Sequence, residues 1–70
     1  MGFETRVLEI VKPALGATGV AEFYYGTLFV DRISTEQADA ILMKLRNREG
    51  LGNVEITRIG KTNEYAYDFV

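Results

Sequence analysis

The first part of the chain carries a helical pattern that a proline interrupts. Over residues 3–15 the apolar side chains recur at intervals of three and four: Phe3, Val7, Ile10, Val11, Ala14 and Leu15. This spacing is typical of an amphipathic helix. A strand is the weaker alternative, because it would place Glu9 on the apolar face. Since Pro13 lacks a backbone N–H and disfavours helical geometry before it, we expect the helix to end or kink near Lys12.

A second pattern, EFYYGTLFV over residues 22–30, is apolar at nearly every position. It predicts one long strand over about residues 20–31, whose side chains alternate between two faces. One row holds Phe23, Tyr25 and Phe29, and the other holds Tyr24, Leu28 and Val30. A strand with one solvent-facing side should instead alternate apolar and polar residues. Both faces of this strand therefore need covering.

The helix after this strand has the clearest signals. Ser34 is a favourable N-cap residue, and Gln37 three positions later completes a capping box. One helical face is then apolar, at Ala38, Ile41, Leu42 and Leu45. Gly50 suits a left-handed residue just past the last turn, with Leu51 folding back on that turn. We predict a helix from Thr35 to about Glu49.

Two β-rich segments close the chain. Turn-forming residues 60–64 separate residues 53–59 from residues 65–70, which predicts a hairpin. The element order is thus α-β-α-β-β, a small α+β fold with a three-stranded, mainly antiparallel sheet and two helices packed on it. In architecture alone this resembles a fragment of a ferredoxin-like sandwich, and such a likeness carries no function.

Composition narrows the class of protein. Seventy residues, 47% apolar and 26% charged, predict a single globular domain over residues 1–70. The chain has no cysteine or histidine, which removes disulfides, thiolate chemistry and the usual general base and metal ligand. No stretch reads as a secretory signal or reaches the roughly 20 apolar residues of a membrane helix. We expect a soluble cytoplasmic protein that is not an enzyme and holds no cofactor or metal.

Carboxylates are the only plausible acid–base groups. Glu22 and Asp31 flank the long strand, and Glu55 and Asp68 lie in the hairpin. A pair from neighbouring strands could converge to hold a metal or to act as acid and base. The spacing matches no metal-binding motif, so we interpret these four residues as solvent-facing charges that keep strand edges soluble.

Basic residues suggest nucleic-acid binding as an alternative function. The candidates are Lys44, Arg46, Arg48, Arg58 and Lys61. Aromatic strands beside basic residues often hold single-stranded nucleic acid. The formal net charge of −2 weighs against this function, because phosphate neutralisation dominates nucleic-acid affinity.

The aromatic residues favour a protein-interaction module. Two helices on one side of a three-stranded sheet would cover one of the two rows of the long strand and leave the other row exposed, and the sequence does not decide which. Either row is a larger apolar surface than monomers usually expose. The candidates for partner binding are Tyr24, Leu28, Val30, Tyr65 and Tyr67. The partner would most simply be a second copy, as a homodimer, or else another protein. Alternatively, one helix could cover each face of the sheet and leave no such row.

Overall fold

In the part of the chain that the structure describes, the fold consists of two α-helices and a four-stranded sheet. The computed structural model describes residues 2–48, 53–60 and 63–69. Its elements are α1 (Phe3–Val11), a 3₁₀ turn (Lys12–Ala14), β1 (Val20–Tyr24), β2 (Thr27–Asp31), α2 (Thr35–Arg46), β3 (Val54–Arg58) and β4 (Tyr65–Phe69). The predicted α+β class with two helices and an antiparallel sheet is confirmed. The predicted number of strands was wrong, because the sheet has four strands and not three.

The additional strand arises because the predicted long strand folds back on itself. β1 and β2 pair antiparallel with Tyr24 opposite Thr27, which leaves only Tyr25 and Gly26 in the turn. Both turn residues have positive φ, 51° and 80°. That combination defines the type I′ turn, whose twist suits a two-residue hairpin. This turn was not predicted, because tyrosine occupies its first central position, where asparagine or aspartate is the usual residue.

The turn also changes which side chains of residues 20–31 share a face of the sheet. Phe23 lies opposite Leu28, and Ala21 lies opposite Val30, so each of these pairs shares a face. Phe29 lies opposite Glu22 on the other face. Neither row predicted for a continuous strand therefore exists as a unit, because a two-residue turn changes which side chains share a face.

The order of strands in the sheet is β1-β2-β4-β3, and all neighbours are antiparallel. The predicted hairpin of β3 and β4 is confirmed, with Val54 opposite Phe69. β2 and β3 both pair antiparallel with β4, so they run parallel to each other. Helix α2 connects them. Phe3 and Phe69, near the two chain ends, are in contact, with ring centroids 5.2 Å apart. Read cyclically from β2, the elements follow the order β-α-β-β-α-β of ferredoxin-like sandwiches.

The start of α2 and the end of α1 follow their predicted signals, but α2 ends at Arg46, with Asn47 as its C-cap, and not at about Glu49 as predicted. α1 is a helix and not a strand, and it changes to a 3₁₀ turn at Lys12, next to Pro13. At α2 the Gln37 backbone N–H donates to Ser34 Oγ (3.1 Å), and the Ser34 N–H donates to Gln37 Oε1 (2.8 Å). The capping box is thus confirmed. The predicted roles of residues 49–51 lie outside the described residues.

The core lies between the helices and one face of the sheet. From β4, the Tyr67 hydroxyl donates to the Ala38 carbonyl of α2 at 2.8 Å. From α1, Phe3 packs against Phe23 and Phe69 on the same face. The alternative in which each helix covers its own face is therefore wrong. The buried side chains of this core include Val7, Val11, Leu28, Val30, Ile33, Ala38, Ile41, Leu42, Leu45, Val54, Tyr65 and Tyr67.

Candidate binding face on the sheet

The sheet face opposite the helices, here called the open face, is the candidate site. Side chains that alternate with the core residues define it, because successive strand residues point to opposite sides. The register assigns to it Val20, Glu22, Tyr24, Thr27, Phe29, Asp31, Glu55, Thr57, Ala66 and Asp68. Among the described elements, both helices pack on the other side. This face is therefore the part of the sheet on which a partner could lie.

Apolar and aromatic groups occupy the centre and one edge of the open face. Phe29 lies half-buried at the centre, between Glu22 of β1 and Ala66 of β4. On the β1 edge, Tyr24 is 64% exposed and Val20 is 48% exposed. These three side chains surround Glu22 and are here called the apolar strip. Exposed apolar groups of this kind often mark an interaction surface.

Tyr25 at the tip of the β1–β2 turn has a conformation that costs stability. Its φ of 51° lies in the left-handed region, which costs an ordinary residue about 1–2 kcal/mol. Its side chain is 93% exposed, so burial does not recover this cost. The ring makes an edge-to-face contact with Tyr24, with centroids 4.6 Å apart. A strained and exposed aromatic residue beside an open apolar strip points to a role in binding.

We expect Tyr25→Asn to raise the free energy of unfolding by roughly 0.5–1 kcal/mol, because asparagine adopts left-handed geometry more readily. Urea unfolding followed by circular dichroism measures the change. Tyr24→Asn is the matched control, and it should lower stability because Tyr24 has strand geometry. A loss of stability in Tyr25→Asn equal to that of the control would show that Tyr25 is not strained.

Four carboxylates make the open face acidic. Glu22, Asp31, Glu55 and Asp68 all lie on it, and within the four described strands the register assigns no lysine or arginine to it. Glu55 lies directly opposite Asp68, a pairing of like charges that destabilises a sheet. Thr27 Oγ1 donates to Asp68 Oδ1 at 2.8 Å. Sequence analysis named these residues and did not foresee that they share one face.

The acidic residues do not form a metal site. In the part of the chain that the structure describes, no group of three or more potential ligands is placed to hold a metal ion. Asp31 Oδ1 instead accepts a hydrogen bond from the Arg32 backbone N–H at 2.8 Å. The carboxylates are spread over all four strands, so the open face carries a distributed negative field.

Of the five predicted partner-binding residues, the structure leaves only Tyr24 on the open face. Leu28, Val30, Tyr65 and Tyr67 are buried under the helices, and their assignment to a partner-binding surface is therefore corrected. The error has one cause for Leu28 and Val30, since the missed turn moved them to the face opposite Tyr24. Phe29 and Tyr25 belong to the alternative predicted row and were not among the five candidates. Recognising Gly26 as a turn residue would have indicated both.

The basic residues proposed for nucleic-acid binding lie away from the open aromatic groups. Lys44 and Arg46 belong to α2, and Arg48 follows it. Arg46 Nε donates to the Val54 carbonyl at 3.1 Å. Arg58 is opposite Tyr65 and so lies on the helix side of the sheet. Lys61 is outside the described residues. The combination of a basic groove and an aromatic platform that single-stranded nucleic acid requires is not assembled by these described residues.

Two shallow grooves accompany the basic residues. One, of about 340 Å³, is lined by Arg6, Glu9, Ile10 and Arg48. The other, of about 390 Å³, is lined by Arg46, Asn53, Val54 and Glu55. Both are open and lined mostly by polar and charged side chains, unlike the mostly apolar pockets that bind small molecules.

Comparison with known proteins identified no relative. No protein-family model, curated protein or solved structure matches the chain. Of the helices that the structure describes, none has the length and apolar content needed to cross a membrane. The chemistry of the open face is therefore the main indication of function.

Proposed function

We propose that this protein is a non-catalytic interaction module that binds a partner protein through the open face. The observation that carries the proposal is the strained, 93% exposed Tyr25 beside the uncovered strip of Tyr24, Val20 and Phe29. Tyrosine suits such a role because its ring buries apolar area and its hydroxyl can still bond to a partner. A partner that buries these side chains would remove apolar surface from water, and this burial would stabilise the complex.

The dimensions of the open face favour a transient complex. Four strands of five residues span roughly 15–20 Å by about 17 Å. This projected area of about 300 Å² is small beside a standard interface, in which each partner buries roughly 800 Å² of accessible surface. A partner would therefore extend over the Tyr25 turn to gain enough contact. We expect a weak, reversible complex whose energy is concentrated on a few aromatic residues.

Charge favours a different protein over a second copy as the partner. Two open faces packed together would oppose two sets of the same four carboxylates, and like charges across an interface cost several kcal/mol. The homodimer that the sequence suggested is therefore the less favourable version of this proposal. Nucleic acid is disfavoured for the same reason, since phosphates would meet a negative face.

Site-specific photocrosslinking tests this function. A benzoylphenylalanine at position 24 should form adducts with a defined protein in extract from the source cells. The same group at Met43, 56% exposed on α2, is the matched control and should not. An excess of the unmodified protein should compete with the position-24 adduct, whereas a Tyr24→Ser/Tyr25→Ser variant should compete poorly.

Equal adducts at the two positions, or no protein adduct at position 24, would contradict the proposal. Adducts that nuclease treatment removes would instead support the nucleic-acid alternative. Light scattering of the purified protein at several concentrations separates self-association from binding to a different protein, because only self-association raises the mass of the pure sample.

A further inference from the structure

We infer that the partner segment accepted by the open face is basic, with an apolar residue flanked at two-residue intervals by arginine or lysine. This inference rests on the proposed function and adds the chemistry of the partner. The pairing register of the strands supports this inference, because it places carboxylates around the apolar side chain of Phe29. An occupant must match both the charge and the spacing of these groups.

The spacing follows from the position of Phe29. Glu22 is its direct neighbour across the sheet, and Asp31 lies two residues along the same strand. Cross-strand neighbours are about 5 Å apart, and residues two apart on a strand are about 6.6–6.8 Å apart. In an extended segment, residues i, i+2 and i+4 face one side at this same interval. A segment lying along β2 with its apolar residue on Phe29 would thus bring one flanking cation over Asp31 and the other over Thr27, whose hydroxyl donates to Asp68 Oδ1.

The tyrosine pair adds a second cation site at the β1 edge. Tyr24 and Tyr25 present exposed rings held edge to face, with centroids 4.6 Å apart. Glu22 lies two residues before Tyr24 on the same face of β1. A guanidinium group can stack on an aromatic ring while it pairs with a nearby carboxylate. This arrangement favours arginine over lysine at the end of the segment that reaches the turn.

A peptide probe tests the inference on the full chain. The probe is a fluorescein-labelled, eleven-residue peptide in which serine alternates with arginine, leucine, arginine, leucine and arginine. The matched peptide has glutamate in place of arginine. Fluorescence anisotropy gives the affinity, and amide shifts in ¹⁵N-labelled protein locate the site. The arginine peptide should shift residues of β1, β2 and β4, and binding should weaken several-fold between about 20 mM and about 300 mM salt.

Charge variants provide the control. Glu22→Gln with Glu55→Gln removes two exposed charges from the open face, and it should weaken the arginine peptide roughly three- to tenfold. Glu36→Gln with Asp39→Asn makes the same change of charge on exposed positions of α2. This variant should change the affinity less than about twofold, because its charges lie across the fold from the site.

The outcomes separate this inference from the proposed function. If the glutamate peptide binds the open face as tightly, or if the Glu22/Glu55 variant binds unchanged, the partner is not basic and only the inference fails. A dimer in the pure protein that buries the open face also overturns the inference and leaves an interaction module that binds itself. If neither peptide shifts residues of the open face, the inference is overturned, while an adduct specific to position 24 would still support the function.

Discussion

Leu28→Ala should lower the free energy of unfolding by about 2–5 kcal/mol. Leu28 is fully buried in the middle of β2, between Phe23 of β1 and Tyr67 of β4. Its truncation removes apolar contacts and leaves a cavity that a sheet packed under two helices cannot fill by relaxation. A chain of this size has roughly 4–10 kcal/mol of stability in total, so much of it would be lost.

The adjacent Phe29 supplies the matched control. Phe29 is the larger side chain, but it lies half-buried on the open face. Phe29→Ala should therefore cost only roughly 1 kcal/mol. Urea unfolding of the two variants, monitored by circular dichroism, compares the faces directly. A larger loss for Phe29→Ala than for Leu28→Ala would mean that the faces of β2 are assigned the wrong way round.

Elements with local chemical signals could be predicted from the sequence. Ser34 and Gln37 form a capping box through hydrogen bonds within four residues, so the start of α2 is encoded in a short stretch. Pro13 likewise acts on its immediate neighbours, and α1 changes to a 3₁₀ turn beside it. The two helices were predicted correctly at these points because neither signal depends on the rest of the fold.

The β1–β2 turn could not be predicted in the same way. Tyr25-Gly26 carries only half of the usual type I′ signal, and the residues on both sides have high β propensity. The energy that fixes the turn comes instead from long-range pairing, as β2 lies between β1 and β4. One missed turn changed both the number of strands and the face assigned to Leu28.

The candidate site depends on the same long-range pairing. Glu22, Asp31, Glu55 and Asp68 are far apart in the sequence, and only the register of four strands gathers them on one face. Each of the four residues was predicted to face solvent, which is correct for the exposed Glu22, Glu55 and Asp68, whereas Asp31 is half-buried. What it could not supply was the shared surface, because a shift of one residue in a strand moves its side chains to the other face.

Tyr67→Ala should cost about 3–5 kcal/mol and bring the protein close to unfolding. Tyr67 is among the largest fully buried side chains, and it lies opposite Leu28 on one side and Ile56 on the other. Its removal would open a cavity beneath α2 and would also remove the hydrogen bond to the Ala38 carbonyl. Thermal unfolding by circular dichroism should show a broad transition at low temperature or no transition. A loss below about 1 kcal/mol would contradict the burial of this ring.

Tyr67→Phe separates the hydroxyl from the ring. At neutral pH it should cost about 1 kcal/mol, the usual contribution of one hydrogen bond. Burial raises the pKa of Tyr67 above its usual value, with smaller contributions from Tyr65 and Asp39. The stability from this raised pKa is therefore fully present below about pH 10 and is lost as the pH rises further, by up to about 1.4 kcal/mol per pH unit.

The alkaline range gives this prediction its control. Urea unfolding between about pH 9 and pH 11 should show a shallower loss of stability in Tyr67→Phe than in the natural protein. Tyr25→Phe makes the same substitution at a side chain that is 93% exposed, and it serves as the matched control. If Tyr67→Phe keeps the full alkaline slope, the Tyr67 hydroxyl is not held between β4 and α2. The register that places Leu28 beside Tyr67 under the helices, and the opposite row on the open face, would then need revision.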